Sequence, residues 1–283
     1  MAQHPYGIPP PGYRLPDATR IGVVRLQVSD LTRAVEYYEH VLGLRVHTSS
    51  ASVAALGAHG DAPPFLELHT RPGVARARRG AFGLYHFAIL LPDRASLAQF
   101  AAHLSTVGAR VGMADHFVSE AFYLWDPDGL GIEVYADRPR TAWEHKEREL
   151  VMTTEDLDIG DLLEAGGDRA WTGMPPGTTI GHVHLHVGSL AEAERFYHAG
   201  LGLDKMVWSY PGALFLAAGG YHHHLGTNVW SPGPAAEEDE ARLLEWELVL
   251  PSAHDVDKAL ASVGSKGGVV ADPWGTQLRL VKG

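Results

Sequence analysis

The chain has no cysteine among its 283 residues. That absence excludes a disulfide framework and fits a reducing cytosol. Basic residues are also scarce: 23 Lys and Arg stand against 34 Asp and Glu, a net charge of −11. A surface of that sign repels phosphate backbones, so nucleic acid is not expected as a partner. No apolar run is long enough to span a bilayer, and the N-terminus lacks a basic-then-apolar export signal. A cytoplasmic location without membrane association is therefore expected. The length suits two domains of ordinary size.

What the chain does contain is an internal repeat. Ile21-Gly22-Val23-Val24-Arg25-Leu26-Gln27-Val28 is mirrored by Ile180-Gly181-His182-Val183-His184-Leu185-His186-Val187. Each is followed by a cap residue (Asp30, Ser189) and a helical stretch that ends in Gly-Leu. A looser pair joins Leu84–Pro92 to Leu243–Pro251, again a strand, a proline, an amphipathic helix and a glycine stop. The order is four strand-helix-strands modules, at about 20–72, 83–137, 179–232 and 243–283. Each is too small to bury its own sheet face and must pair with another. The predicted class is α+β: four βαβββ modules paired into two barrel-like domains with cupped, mixed sheets. Residues 1–19, rich in proline, are expected as an extended arm. Modules 1 and 2 fill 20–137 and modules 3 and 4 fill 179–283. The connection at 138–178, with one short helix near 155–165, is long enough to have a job.

Three residues carry the chemistry. His182, His184 and His186 alternate on one strand and face one way. They are either a ligand with its surroundings or a hydrogen-bonded core network. His86 sits in an otherwise apolar strand, where a lone histidine is ordinarily a core residue. Glu133, between Ile132 and Val134 in the same module, changes that reading, because a buried carboxylate needs a cation or several donors. Two histidines and one carboxylate are the facial set of non-haem Fe(II) oxygenases.

Asp126-Pro127-Asp128-Gly129 with Ile132-Glu133, the Gly181-His182-Val183 opening, Gly83–Ala88 and Gly219–His224 together resemble the vicinal oxygen chelate superfamily, over residues 20–283. Within it the chain is most similar to two-domain extradiol catechol-2,3-dioxygenases. The resemblance implies Fe(2+), with Mn(2+) able to use the same ligands, held by His86, Glu133 and His182. It implies His223, Tyr123 and His116 as the catalytic groups around the ion. His184, His186, His224, Asn228, Trp208 and Trp230 are expected to line the pocket or support it. Catechol and O2 would be the small-molecule partners, and a homo-oligomer the assembly.

The chain departs from the family in the order of its modules. Val23 stands where module 1 would carry its histidine, and Glu245 and Gln277 are read at the ligand places of module 4. Pairing modules 1 with 2 and 3 with 4 would leave two half-built sites. Pairing 2 with 3, within one chain or by a swap between chains, would assemble all six residues in one cup. Two other functions stay open at this level. One is a glyoxalase-type isomerase or resistance transferase, with Glu67 as a further carboxylate. The other is a metal-free protein that binds an aromatic compound.

Overall fold

The computed structural model describes residues 6–167, 169–231 and 233–283. The first five residues of the expected arm, Asp168 and Pro232 lie outside them. Module 1 comprises β1 (Arg20–Gln27), α1 (Leu31–His40), β2 (Arg45–Ser49), β3 (Val53–Gly57) and β4 (Leu66–His69). Module 2 comprises β5 (Gly83–Leu90), α2 (Arg94–Thr106), β6 (Gly112–Asp115), β7 (Ser119–Trp125) and β8 (Gly131–Asp137). The connection forms a small ribbon, β9 (His145–Lys146) with β10 (Glu149–Leu150), and α3 (Ile159–Gly166). Module 3 follows with β11 (Thr179–His186), α4 (Leu190–Ala193) continued by a π-helical stretch to Gly200, β12 (Asp204–Val207), β13 (Ala213–Ala217) and β14 (Leu225–Asn228). Module 4 closes the chain with β15 (Arg242–Leu250), α5 (Ala253–Ser262), β16 (Val269–Ala271) and β17 (Gln277–Lys282). The α+β class read from the repeat holds.

Each helix begins where a short polar side chain takes up a free backbone N–H of its first turn. Asp30 accepts from Arg33 N at 3.0 Å, Asp93 from Ser96 N at 2.7 Å and Ser252 from Asp255 N at 3.2 Å. These caps recur directly after the first strand of a module, so every module turns from strand to helix in the same way.

The sheets cross the module order. The eight-stranded sheet runs β12-β13-β14-β11-β5-β8-β7-β6, joining modules 3 and 2 through the antiparallel pair β11 and β5. The seven-stranded sheet runs β16-β17-β15-β1-β4-β3-β2, joining modules 4 and 1 through β15 and β1. Alternate residues, such as Phe87, Ile89, Ile132, Val134, Val183 and Leu185, enter one buried apolar cluster together with Leu97 and Phe100 of α2. Burial of that face stabilises each sheet by about 25 cal/mol per Å² of apolar area removed from water. It also fixes the register, and so turns the intervening residues onto the concave face. The described part of the arm packs along module 3: Ile8 bridges Lys205, and Leu15 is buried. No helix among the described residues is long and apolar enough to cross a membrane.

Candidate metal centre

The concave face of the eight-stranded sheet carries the histidines. In the β11–β5 ladder His182 lies opposite Ala88 and His184 opposite His86. In the β5–β8 ladder Ala88 lies beside Glu133, and across β7–β8 Tyr123 faces Glu133. Ala88 is thus the small residue among three large polar neighbours, and its missing bulk leaves them a common clearing. His86 Nε2 stands 3.0 Å from Glu133 Oε2 and 3.3 Å from His182 Nε2, and His182 Nε2 stands 3.2 Å from the same oxygen. All three side chains are buried.

Two glycines make this approach possible. A Cβ at Gly181 would fall on the hydroxyl of Tyr135, and a Cβ at Gly226 would lie 2.8 Å from the His184 ring. Gly181 therefore brings β11 close to β8 beside His182, and Gly226 gives the His184 imidazole its place.

The donor triangle fits a divalent ion. Ligands about 2.1 Å from one ion and at right angles to each other stand about 3.0 Å apart. The edges of the triangle are 3.0, 3.2 and 3.3 Å. Burial pushes the His182 imidazole down to about 4 against the opposing pull of Glu133, so its ring is neutral at neutral pH. Burial disfavours charge on Glu133, yet the neighbouring His182 and the hydrogen bonds from both histidines hold its carboxyl well below the usual range. Neutral imidazoles with one carboxylate are the protonation states that metal ligation needs.

Three further groups surround the triangle. Tyr123 donates its hydroxyl to His116 Nε2 at 2.6 Å, because His116 Nδ1–H is already spent on the carbonyl of Thr153 at 2.6 Å. Burial and the charge of Glu133 raise the Tyr123 phenol well above 10, so it stays protonated. His223 packs on His182 with ring centroids 4.0 Å apart, and its buried Nε2 has no protein partner. Burial first, then the neighbouring histidines, holds His223 neutral.

The remaining predicted residues divide. His184 and Trp230 line a cavity of about 320 Å³ with His116, Tyr123 and His223. Asn228 braces the wall, accepting from His186 Nδ1 at 2.7 Å and donating to His184 Nε2 at 3.0 Å. His224 turns away from the cavity, packs at a tilt against Tyr221 and accepts from Ala218 N. Trp208 does not line the cavity either; its backbone N–H is held by Glu149. Sequence reasoning missed Tyr85 and Phe215, which line the cavity, and Met152-Thr153-Thr154 of the long connection, which cross it. The Tyr85 ring touches His86, His184, His186 and Trp230. Its place beside His86 was the available signal.

The seven-stranded sheet builds the same cup and fills it with charge. Arg25 lies opposite Glu245 and beside Glu67, as His184 lies opposite His86 and beside Gly226. Glu247 lies beside Arg279, as Ala88 lies beside Glu133. The Glu133 counterpart is therefore Arg279, not Gln277. Asp272 and Asp126 organise the two turns alike, each accepting backbone N–H groups two and four residues on. Arg279 follows its aspartate by 279 − 272 = 7 residues and Glu133 by 133 − 126 = 7. Arg25 donates to Glu67 at 2.9 Å, Glu245 at 2.9 Å and Glu247 at 2.7 Å, while Arg279 grips Glu245 at 2.7 and 2.8 Å. A guanidinium thus occupies the centre, and Glu67 is committed to it.

The chain belongs to the glyoxalase/bleomycin resistance protein/dioxygenase superfamily, whose family model matches residues 20–134 and 179–279. A catechol-2,3-dioxygenase of Bacillus subtilis (strain 168) is 44% identical over 244 residues, covering 84% of this chain and 85% of the relative. With that likeness over most of both chains, the protein is an enzyme of the dioxygenase class. Such a class implies a catalytic metal, and the His/Glu/His set stands ready in the cup. Among solved structures, one from Bacillus subtilis subsp. subtilis str. 168 covers 95% of this chain and 86% of its own, with a TM-score of 0.66 at 12% identity. Glyoxalase I from Zea mays covers 94% of this chain and 92% of its own, with a TM-score of 0.53 at 18% identity. At such identities the two structures speak for the fold alone.

Proposed function

We propose that the protein is a cytoplasmic extradiol dioxygenase that opens the ring of a catechol next to its diol, using Fe(II) held by His86, Glu133 and His182. The observation that carries this reading is the triangle of donors 3.0 to 3.3 Å apart at the base of an aromatic cavity. The set supplies one negative charge and occupies one face, which leaves room for a substrate with two adjacent oxygens. When bound, Fe(II) would supply the acidity that weakens the catechol O–H bonds and a path by which the ring's own electrons reach dioxygen.

The chain's own groups do the rest. Tyr85, Phe215, Trp230 and Met113 give the cavity apolar walls, and among the described residues no Lys or Arg lines it, so an uncharged aromatic ring is the fitting guest. Met152 to Thr154 cover one side and limit water. His116 holds Tyr123 as a fixed hydroxyl beside Glu133, placed to orient a substrate oxygen. His223 offers a neutral, unpartnered Nε2 that can lift a proton from a catechol hydroxyl and later return it to a leaving oxygen.

The isomerase alternative needed a further carboxylate from Glu67. The counterpart of Glu67 in the metal cup is Gly226, and a Cβ there would already crowd His184. No fourth acidic ligand reaches the triangle from that position.

Oxygen uptake by iron-reconstituted protein with plain catechol tests the reading. One O2 consumed per catechol, with a yellow ring-fission product, is expected. Iron bound without uptake on catechol or its alkyl-substituted forms would count against it.

A further inference from the structure

Behind His223 stands a row of polar groups that the six-residue site does not use. His222 is fully buried, and its Nδ1 lies 2.7 Å from His223 Nδ1. Its other nitrogen, Nε2, lies 2.9 Å from Asp137 Oδ1. Asp137 ends β8, four residues beyond Glu133, so period 2 puts both on the same face of the strand. The same Asp137 oxygen accepts the hydroxyl of Tyr221 at 3.3 Å, which in turn meets the hydroxyl of Tyr135 at 2.6 Å. The Trp143 ring packs on His222 from the other side, with centroids 5.5 Å apart.

Donor and acceptor rules set the direction of this row. A carboxylate can only accept, so His222 carries its proton on Nε2. In a row that carries one proton per ring, His222 Nδ1 is then bare, and His223 Nδ1, 2.7 Å away, donates to it. That spends the single proton of His223 on the side away from the cup. Nε2 of His223, buried and without a protein partner, is left as a bare acceptor facing the cavity.

We propose that Asp137 and His222 are positioning residues that fix the tautomer of His223 and present its Nε2 lone pair to the substrate. The role assigned to the lone pair rests on the ring-cleaving reading above; the tautomer itself does not. Without the row, His223 could place its proton on either nitrogen, and a share of the enzyme would meet a substrate hydroxyl with an N–H.

The first test is a nitrogen-15 spectrum of the histidines in protein loaded with Zn(II), a diamagnetic ion. His223 Nε2 should resonate as an unprotonated ring nitrogen and Nδ1 as a protonated one. Next come His222→Leu, which removes the acceptor, and Asp137→Asn, whose amide oxygen can still accept from His222 and Tyr221. With Fe(II) and catechol, H222L should lose kcat by on the order of 10²-fold, with KM and metal content nearly unchanged. D137N should keep kcat within about threefold. A protonated Nε2 in the parent protein overturns the proposal whatever the reaction proves to be, as does full turnover by H222L. An unprotonated Nε2 without any turnover of catechols would leave the tautomer standing and sink the ring-cleaving reading instead.

Discussion

Glu133→Gln should strip the protein of its metal, to less than about a tenth of an equivalent, and lower ring cleavage by on the order of 10³-fold or more. The amide has nearly the shape of the carboxylate but none of its charge. An ion between two neutral imidazoles would then keep its full positive charge in a buried site, which is costly. The loss should not be a loss of fold. In the metal-free state the substitution replaces a buried carboxylate by a neutral group that can still bond to His86 and His182, so the melting temperature should change by only a few degrees. Glu245→Gln in the seven-stranded sheet is the matched control. It touches the Arg25 cluster, not the triangle, and should keep the metal. Metal content by elemental analysis on both variants decides the matter. Full metal in E133Q would remove Glu133 from the ligand set.

Metal-free protein should lose stability steeply as the pH falls below about 6.5. Burial holds His182 down at about 4 and His224 at about 3, and pushes His184 and His223 well below the ordinary histidine value. In the unfolded chain these rings titrate near 6.5. Their folded values are depressed, so below 6.5 the unfolded state binds protons that the folded state refuses. The stability they contribute is complete above about 6.5 and drains away as the pH falls through 6.5 towards 4 and then 3. Each such histidine adds up to about 1.4 kcal/mol per pH unit. Four of them add up to about 5 kcal/mol per unit, which rivals the whole stability of an ordinary domain. Glu133, held below its usual range, adds a loss of the same sign at lower pH still. Urea midpoints from pH 8 to 4 should therefore be flat at the top and fall sharply from about 6.5. Bound metal competes with protons for its histidine ligands and should move the fall to lower pH. His224→Gln should take one histidine's share out of the slope. A flat profile down to pH 5 would show that the rings are not buried and neutral as described.

The convergence of His86, Glu133 and His182 was legible from two sources together: strand periodicity gives the face of each residue, and the ligand set implied by the family resemblance says which strands meet. Residues two apart share a face, and the apolar partners Phe87, Ile132 and Val183 say which face is inside. The repeat carried the fold for the same reason. Gln277 was misread because chemistry was matched in place of spacing: it is the polar residue nearest the expected carboxylate, whereas the Asp272 turn sets Arg279 in the ladder. The Arg25 cluster was hidden because its acids come from two strands, β4 and β15, far from Arg25 in sequence. Met152 to Thr154 reach the cavity through the path of a long connection, and no local pattern encodes such a path. His224 and Trp208 were named for their residue types, and packing at the ends of β13 and β12 turned them elsewhere.

The central claim is that one ion sits between modules 2 and 3, and it can be located directly. Crystals of iron-loaded protein, measured at the iron absorption edge, should show one anomalous peak per chain, about 2.1 Å from His86 Nε2, His182 Nε2 and a Glu133 oxygen. The cup around Arg25 should show none. A peak beside Glu67 and Glu245, or iron bound anywhere but the triangle, would contradict the account.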